Sequence, residues 1–129
     1  MSAIATGANM ILIHCGINDA ATPRTWADVE TDLNTILVAV NAANPKPRIF
    51  LDEITPSTSA SNTIAGNIRT VFNPGLTTFA ATNGWKLVTY HDAFGKIRAG
   101  IGQLDDLLTA YNYDGTHYTQ AGINAMAAI

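Results

Sequence analysis

The sequence predicts an α/β protein built on a parallel sheet of about three strands. Two observations carry this. Three short runs, "MILIHC", "RIFLDEI" and "WKLVTYH", read as strands, the first a continuous apolar run of the kind covered on both faces. Between them lie longer stretches whose apolar residues recur every three or four positions, the spacing of a helix face. Strands alternating with helices imply a parallel sheet with helices packed on it.

The first strand is expected over Met10–Cys15. It breaks at Gly16 and runs into Asn18-Asp19. The next segment carries Trp26, Val29, Leu33, Ile36, Leu37 and Val40 at helical spacing, with Thr25 and Asp28 as an N-cap pair. "NPKP" stops that helix. Arg48–Ile54 is the second strand, and "STSASN" after Pro56 is a polar loop. A second helix begins near Thr63 and turns Ile64, Ile68, Val71, Phe72, Leu76 and Phe79 inward, with a kink or break expected at Pro74-Gly75. Asn83-Gly84 closes it. Trp85–His91 is the third strand. A glycine-containing connection, a short helix from Gln103 to Ala110, and a last helix capped by Thr119 complete the chain.

With right-handed crossovers, the C-terminal ends of all three strands lie along one edge of the sheet. Ligand sites of open α/β sheets lie there. "GIND", "TPSTSASN" and "HDAFG" all emerge on that edge.

The chain has 129 residues, enough for one domain over 1–129. Hydrophobic residues make up 47% and charged residues 13%, a globular balance. The formal charge of −3, without a basic stripe, argues against nucleic acid as a partner. The single cysteine, Cys15, excludes an internal disulfide. No apolar run is long enough to span a membrane. "MSAIATGANM" lacks the basic start and apolar core of a signal peptide, and no feature assigns a compartment.

The second informative stretch is "DGTH", Asp114–His117, just before the capping Thr119. An Asp three residues before a His at a helix entry can hydrogen-bond the ring. The carboxylate then fixes the imidazole tautomer and stabilises its protonated form, as the orienter does for the general base of a serine hydrolase.

Taken together, "HCGINDA" and "YDGTHYTQAGINAMA" resemble the SGNH (GDSL-type) hydrolase family. The resemblance implies a three-layer parallel sheet of flavodoxin-like topology, N-terminally truncated. It implies Asn18 as a side-chain donor to an oxyanion, His117 as the base and Asp114 as its orienter. Gly16 and Asp19 would support the loop, the glycine by allowing a tight turn and the aspartate by local hydrogen bonds. It also implies ester hydrolysis of a small ester or acylated-carbohydrate substrate, with no cofactor and no metal. The chain departs from the family in two respects. It has no Gly-Asp-Ser, whose serine is the family's nucleophile, and it lacks the loop glycine that supplies another oxyanion donor. It starts just before the family's third motif, as if the first strand, its helix and a second strand had been removed.

Other candidates weigh less. Ser57, Ser59 and Ser61 lie in a loop expected on the same edge, where a serine could replace the missing nucleophile. Cys15 is read as a small buried hydrophobe rather than a nucleophile. His14 and His91 flank strand ends and suit structural or solvent contacts. Three histidines without HxH or HExxH spacing make no metal site. Tyr111, Tyr113 and Tyr118 bracket the Asp-His loop, as cleft lining or as packing.

Two other functions stand beside the hydrolase. One is a non-catalytic remnant that binds or assembles. The other is a flavodoxin-like binding module, disfavoured because no phosphate-cradling glycine loop is present. Without the family's first strand, the Met10–Cys15 edge is expected to be unpaired. An apolar unpaired edge recruits another chain, so a homo-oligomer, in first place a two-fold dimer, is expected.

Overall fold

The computed structural model describes residues 7–56, 62–90, 95–97, 104–115 and 117–128. Strand β1 is Met10–Ile13, followed by the short helix α1, Ile17–Ala21, and the long helix α2, Trp26–Ala42. Strand β2 is Arg48–Asp52. A continuous helical segment follows: α3 (Asn62–Asn67), a π-helical turn (Ile68–Phe72) and α4 (Asn73–Asn83). Strand β3 is Lys86–Val88, and β4 (Gly95–Ile97) and β5 (Leu104–Leu107) form a small hairpin sheet. A 3-10 turn, Thr109–Tyr111, leads to the last helix, α5, Gln120–Met126.

The main sheet has the order β1-β2-β3, all parallel. Met10 pairs with Arg48 and Ile13 with Leu51; Phe50 pairs with Lys86 and Asp52 with Val88. Side chains alternate between faces along each strand. One face carries Ile11, Ile13, Ile49, Leu51 and Leu87, all packed into the main core. Val29, Leu33 and Val40 of α2 meet Ile68, Phe72, Leu76 and Phe79 on that same face. This follows from the topology: two successive right-handed crossovers in one direction put both connecting helices on the same side. Phe79 and Trp85 close the core edge-to-face, with centroids 5.3 Å apart. The other face is covered at β3, where Val88, Tyr90, Leu107, Tyr111, Tyr118 and α5 form a second cluster. At β1 it stays open, with Met10 63% and Leu12 57% exposed.

Local chemistry sets the helix limits. At the start of α2, Thr25 accepts from the Asp28 N–H and Asp28 accepts from the Thr25 N–H, a complete capping box. Thr119 caps α5 by accepting from the Gly122 N–H. Helix α4 ends at Asn83, as expected, with Gly84 in the left-handed region.

The structure corrects several expectations. The stretch expected as a helix from Gln103 to Ala110 contains strand β5, which pairs antiparallel with β4, followed by a 3-10 turn. Leucines three apart fit a helix or a short strand equally, and pairing with a neighbour decides. The break at Pro74 is replaced by the π-helical turn before it, in which the Asn73 N–H donates to Ile68 C=O. The widened turn accommodates a proline that cannot donate. It also changes the helix phase, so Val71, expected inside, is exposed. Finally, β1 ends at Ile13 rather than Cys15, and Cys15 is exposed rather than buried.

Strands β2 and β3 are likewise shorter than the apolar runs that suggested them. Their backbone pairing continues one step, with the Glu53 N–H donating to Val88 C=O at 3.0 Å.

Candidate active site

The C-terminal ends of β1 and β2 open onto a cleft of about 610 Å³. His14 to Asp19 form one wall, Ile54–Pro56 the floor, and His117, Tyr118 and Ile123 the opposite wall. The edge on which the sequence placed its candidate loops is therefore concave, and it gathers Asn18 and His117 into one cavity.

The first wall turns at Gly16. Its φ is 108°, and a Cβ there would lie 2.7 Å from Ile54 Cδ1. Both the conformation and the space demand glycine. Helix α1 starts directly after it, with the Ala20 N–H donating to Gly16 C=O at 2.9 Å. Asn18 is exposed on this wall. Asp19 is paired within this wall: its carboxylate meets Arg24 at 3.0 Å, and Arg24 also holds Asp32 at 2.6 Å. The acid thus braces the wall through a cation five residues on.

The opposite wall is a tight loop ahead of α5. Asn112 and Tyr118 form a bridge, the Tyr113 N–H donates to His117 C=O at 2.9 Å, and the Thr119 N–H donates to Tyr111 C=O at 2.8 Å. Within this loop Asp114 grips His117 twice. One carboxylate oxygen accepts from the His117 backbone N–H at 2.8 Å, and the other lies 2.7 Å from ring Nδ1. The ring is 75% exposed, so its remaining nitrogen is open to solvent and ligand. Tyr118 reaches across to the cleft floor, donating its hydroxyl to Thr55 Oγ1. Burial pushes the Tyr118 phenol up, which keeps it a donor. Tyr111 packs against Gly122, and Tyr113 is exposed.

Cys15 also lines the cleft. Its thiol is pushed up, first by desolvation and then by the carboxylates of Asp19, Asp52 and Asp32. A thiol held protonated is a poor nucleophile. Ser57, Ser59, Ser61 and His91 lie outside the described residues. Among the described residues, no group of three or more His, Cys, Asp or Glu side chains is placed to hold a metal ion. No helix among them is long and apolar enough to cross a membrane.

The sequence reading missed the acids at the end of β2. Asp52 is buried and its Oδ2 lies 2.9 Å from His14 Nδ1. Glu53 is also buried, and its carboxylate accepts from the Tyr90 N–H. The signal was in "FLDEI": two acids ending an apolar strand at the edge where ligands bind.

A second concavity, about 510 Å³, lies at the other end of the sheet between Lys46–Phe50 and Asn83–Lys86. It contains no acid–base pair.

No family model matches the sequence, and no curated protein matches it. The fold does have solved counterparts. A GDSL-like lipase from Bacteroides thetaiotaomicron superposes with a TM-score of 0.76 at 19% identity. An acylhydrolase described as putative, from Bacteroides fragilis, superposes with a TM-score of 0.69 at 21% identity. Each superposition covers 93% of this chain and 58% of the other. The fold is that of the SGNH (GDSL-type) hydrolases, and the chain spans less than two thirds of the length of those structures.

Proposed function

We propose that the chain carries the acid–base half of an ester hydrolase of the SGNH type. His117 is the general base, Asp114 its orienter, and Asn18 the side-chain donor to the oxyanion; Gly16 and Asp19 shape the wall that presents it. The observation that carries this reading is the double grip of Asp114 on His117, in a cleft that Asn18 also lines. With Nδ1 held by the carboxylate, Nε2 keeps the lone pair a base requires.

In the proposed reaction a serine hydroxyl adds to the ester carbonyl and His117 takes its proton. The tetrahedral oxyanion accepts from Asn18, and the imidazolium then protonates the departing alcohol. Water repeats the sequence on the acyl-enzyme and releases the acid. The sequence holds no Gly-Asp-Ser. The serine is proposed to come from a segment outside these 129 residues, from a partner chain, or from the Ser57–Ser61 loop. The substrate is a small ester or an acylated carbohydrate. Self-association is part of the same reading, through the open outer edge of β1.

Hydrolysis of p-nitrophenyl acetate, with a fluorophosphonate probe and peptide mapping, tests the proposal. Turnover that falls about a thousandfold in His117→Ala supports it, and the labelled peptide identifies the serine. Turnover indifferent to that change refutes it.

The absence of Gly-Asp-Ser favours a second reading, a non-catalytic binding or assembly module. It expects a folded chain with neither turnover nor probe labelling.

A further inference from the structure

The cleft holds a second imidazole–carboxylate pair, which the mechanism above leaves unused. Asp52 ends the central strand with only 1% of its side chain exposed. Its Oδ2 meets His14 Nδ1 at 2.9 Å and accepts from the Tyr90 hydroxyl at 3.3 Å. Its Oδ1 is buried and has no partner among the described residues. All three side chains continue the sheet face opposite the main core, which brings residues from the ends of β1, β2 and β3 to one point.

Burying a carboxylate is costly unless it is paired and hydrogen-bonded. Here the compensation is incomplete, so the packing of the strands alone does not call for an acid. What the acid does is orient a ring. Tyr90 stays a donor, its phenol pushed up to about 12 by burial first and by Asp52 second. The carboxylate therefore accepts hydrogen bonds from both neighbours. In the neutral ring this places the His14 proton on Nδ1 and leaves Nε2 with a lone pair. The His14 side chain is 44% exposed and lines the cleft beside Cys15, Gly16 and Asn18. Its surroundings there include the apolar Ile17, Ile54 and Ile123. A fixed acceptor in a cleft of mixed apolar and polar lining is an arrangement by which a pocket reads a single hydroxyl group.

We propose that His14 is a specificity-determining residue: held by Asp52, its Nε2 accepts a hydrogen bond from a hydroxyl group of the ligand in the cleft, selecting polyol-like over plain alkyl ligands. The identity of that ligand as an ester rests on the hydrolase reading; the hydroxyl recognition does not require turnover.

Binding followed by NMR separates the two. The probes are methyl β-D-glucopyranoside and tetrahydropyran, matched in ring size, the second without a hydroxyl. In the free protein, nitrogen-15 spectra should show His14 as the Nδ1–H tautomer. The glycoside should shift the His14 ring signals. His14→Leu should weaken the glycoside about fivefold, the loss expected when one hydrogen bond goes, while tetrahydropyran changes little. His14→Gln, which keeps an acceptor, should retain most of the glycoside affinity. Asp52→Asn should mix the tautomers and weaken the glycoside; should that variant not fold, the His14 variants decide alone. The proposal is overturned by any of three results: no glycoside binding to the wild type, equal weakening of both probes in His14→Leu, or binding that leaves the His14 signals unmoved. His117→Ala distinguishes the readings. If hydrolysis fails or ignores that change while the glycoside still binds at His14, the hydrolase reading falls and this one stands.

Discussion

The side chain of Asn73 completes strand β2. Its Oδ1 accepts from the Ile54 N–H at 2.8 Å and its Nδ2 donates to Ile54 C=O at 2.9 Å. A carboxamide thus stands where the backbone of another strand would, and it fixes the residue that floors the cleft. Replacing Asn73 with Ala leaves both Ile54 groups buried without these partners. Each such loss costs about 1–3 kcal/mol, so urea denaturation should show Asn73→Ala destabilised by about 2–6 kcal/mol.

Gly16→Ala meets two obstacles, the positive φ and the Ile54 side chain 2.7 Å from the new Cβ. Destabilisation of about 1–3 kcal/mol is expected. Ile54→Val removes Cδ1, the nearer of the two clashing atoms. The double variant should therefore recover part of the loss, measured as a non-additive thermodynamic cycle. Strict additivity would mean the clash is relieved elsewhere.

The capping box gives a pH-dependent prediction. Hydrogen bonds from the Thr25 backbone and then its side chain hold the Asp28 carboxyl below its ordinary value. A carboxyl lowered in the folded state contributes stability above its unfolded pKa and loses it as pH falls through the folded one. Asp28→Asn should be less stable than wild type at pH 7, and the gap should begin to narrow below about pH 4 and close only below the lowered folded value. Thr25→Ala should cost about 1 kcal/mol at neutral pH. Thermal unfolding across pH 2–7 checks both.

Leu12 is 57% exposed on the open face of the edge strand β1. If two copies meet there, Leu12→Lys places a charge in the contact and should yield monomers while leaving the fold intact. Light scattering over a dilution series reads this. A wild type that is monomeric at every concentration would remove the self-association proposal.

Much of the sheet was legible because its physics is local. "MILIHC" and "RIFLDEI" announce strands, though the first is open on one face where a covered strand was expected; Thr25 with Asp28 announces a helix start, and Asn83-Gly84 announces an end. The contact between Asp114 and His117 was legible too, because three residues suffice to bring them together. Hidden features depend on partners far away in sequence. Leu104–Leu107 becomes a strand only through Gly95–Ile97. The pairing of His14 with Asp52 spans 38 residues and exists only once β1 lies beside β2. Cys15 looked interior because the apolar run continued through it; the turn at Gly16 brings it out instead.

The π-helical turn at Ile68–Phe72 works as a gear with one extra tooth. The helix before it and the helix after it are offset by a residue's rotation, about 100°. Asn73 reaches Ile54, and Phe72 and Leu76 reach the core, on the far side of that offset. Excising the exposed Val71 would therefore let the segment relax into an ordinary helix, yet leave the chain worse off. Either Ile68 or the Asn73–Leu76 group would have to rotate out of its seat. The segment's length is thus fixed by the angular bookkeeping between a strand end and a core, and a shortened helix would be individually better and collectively wrong.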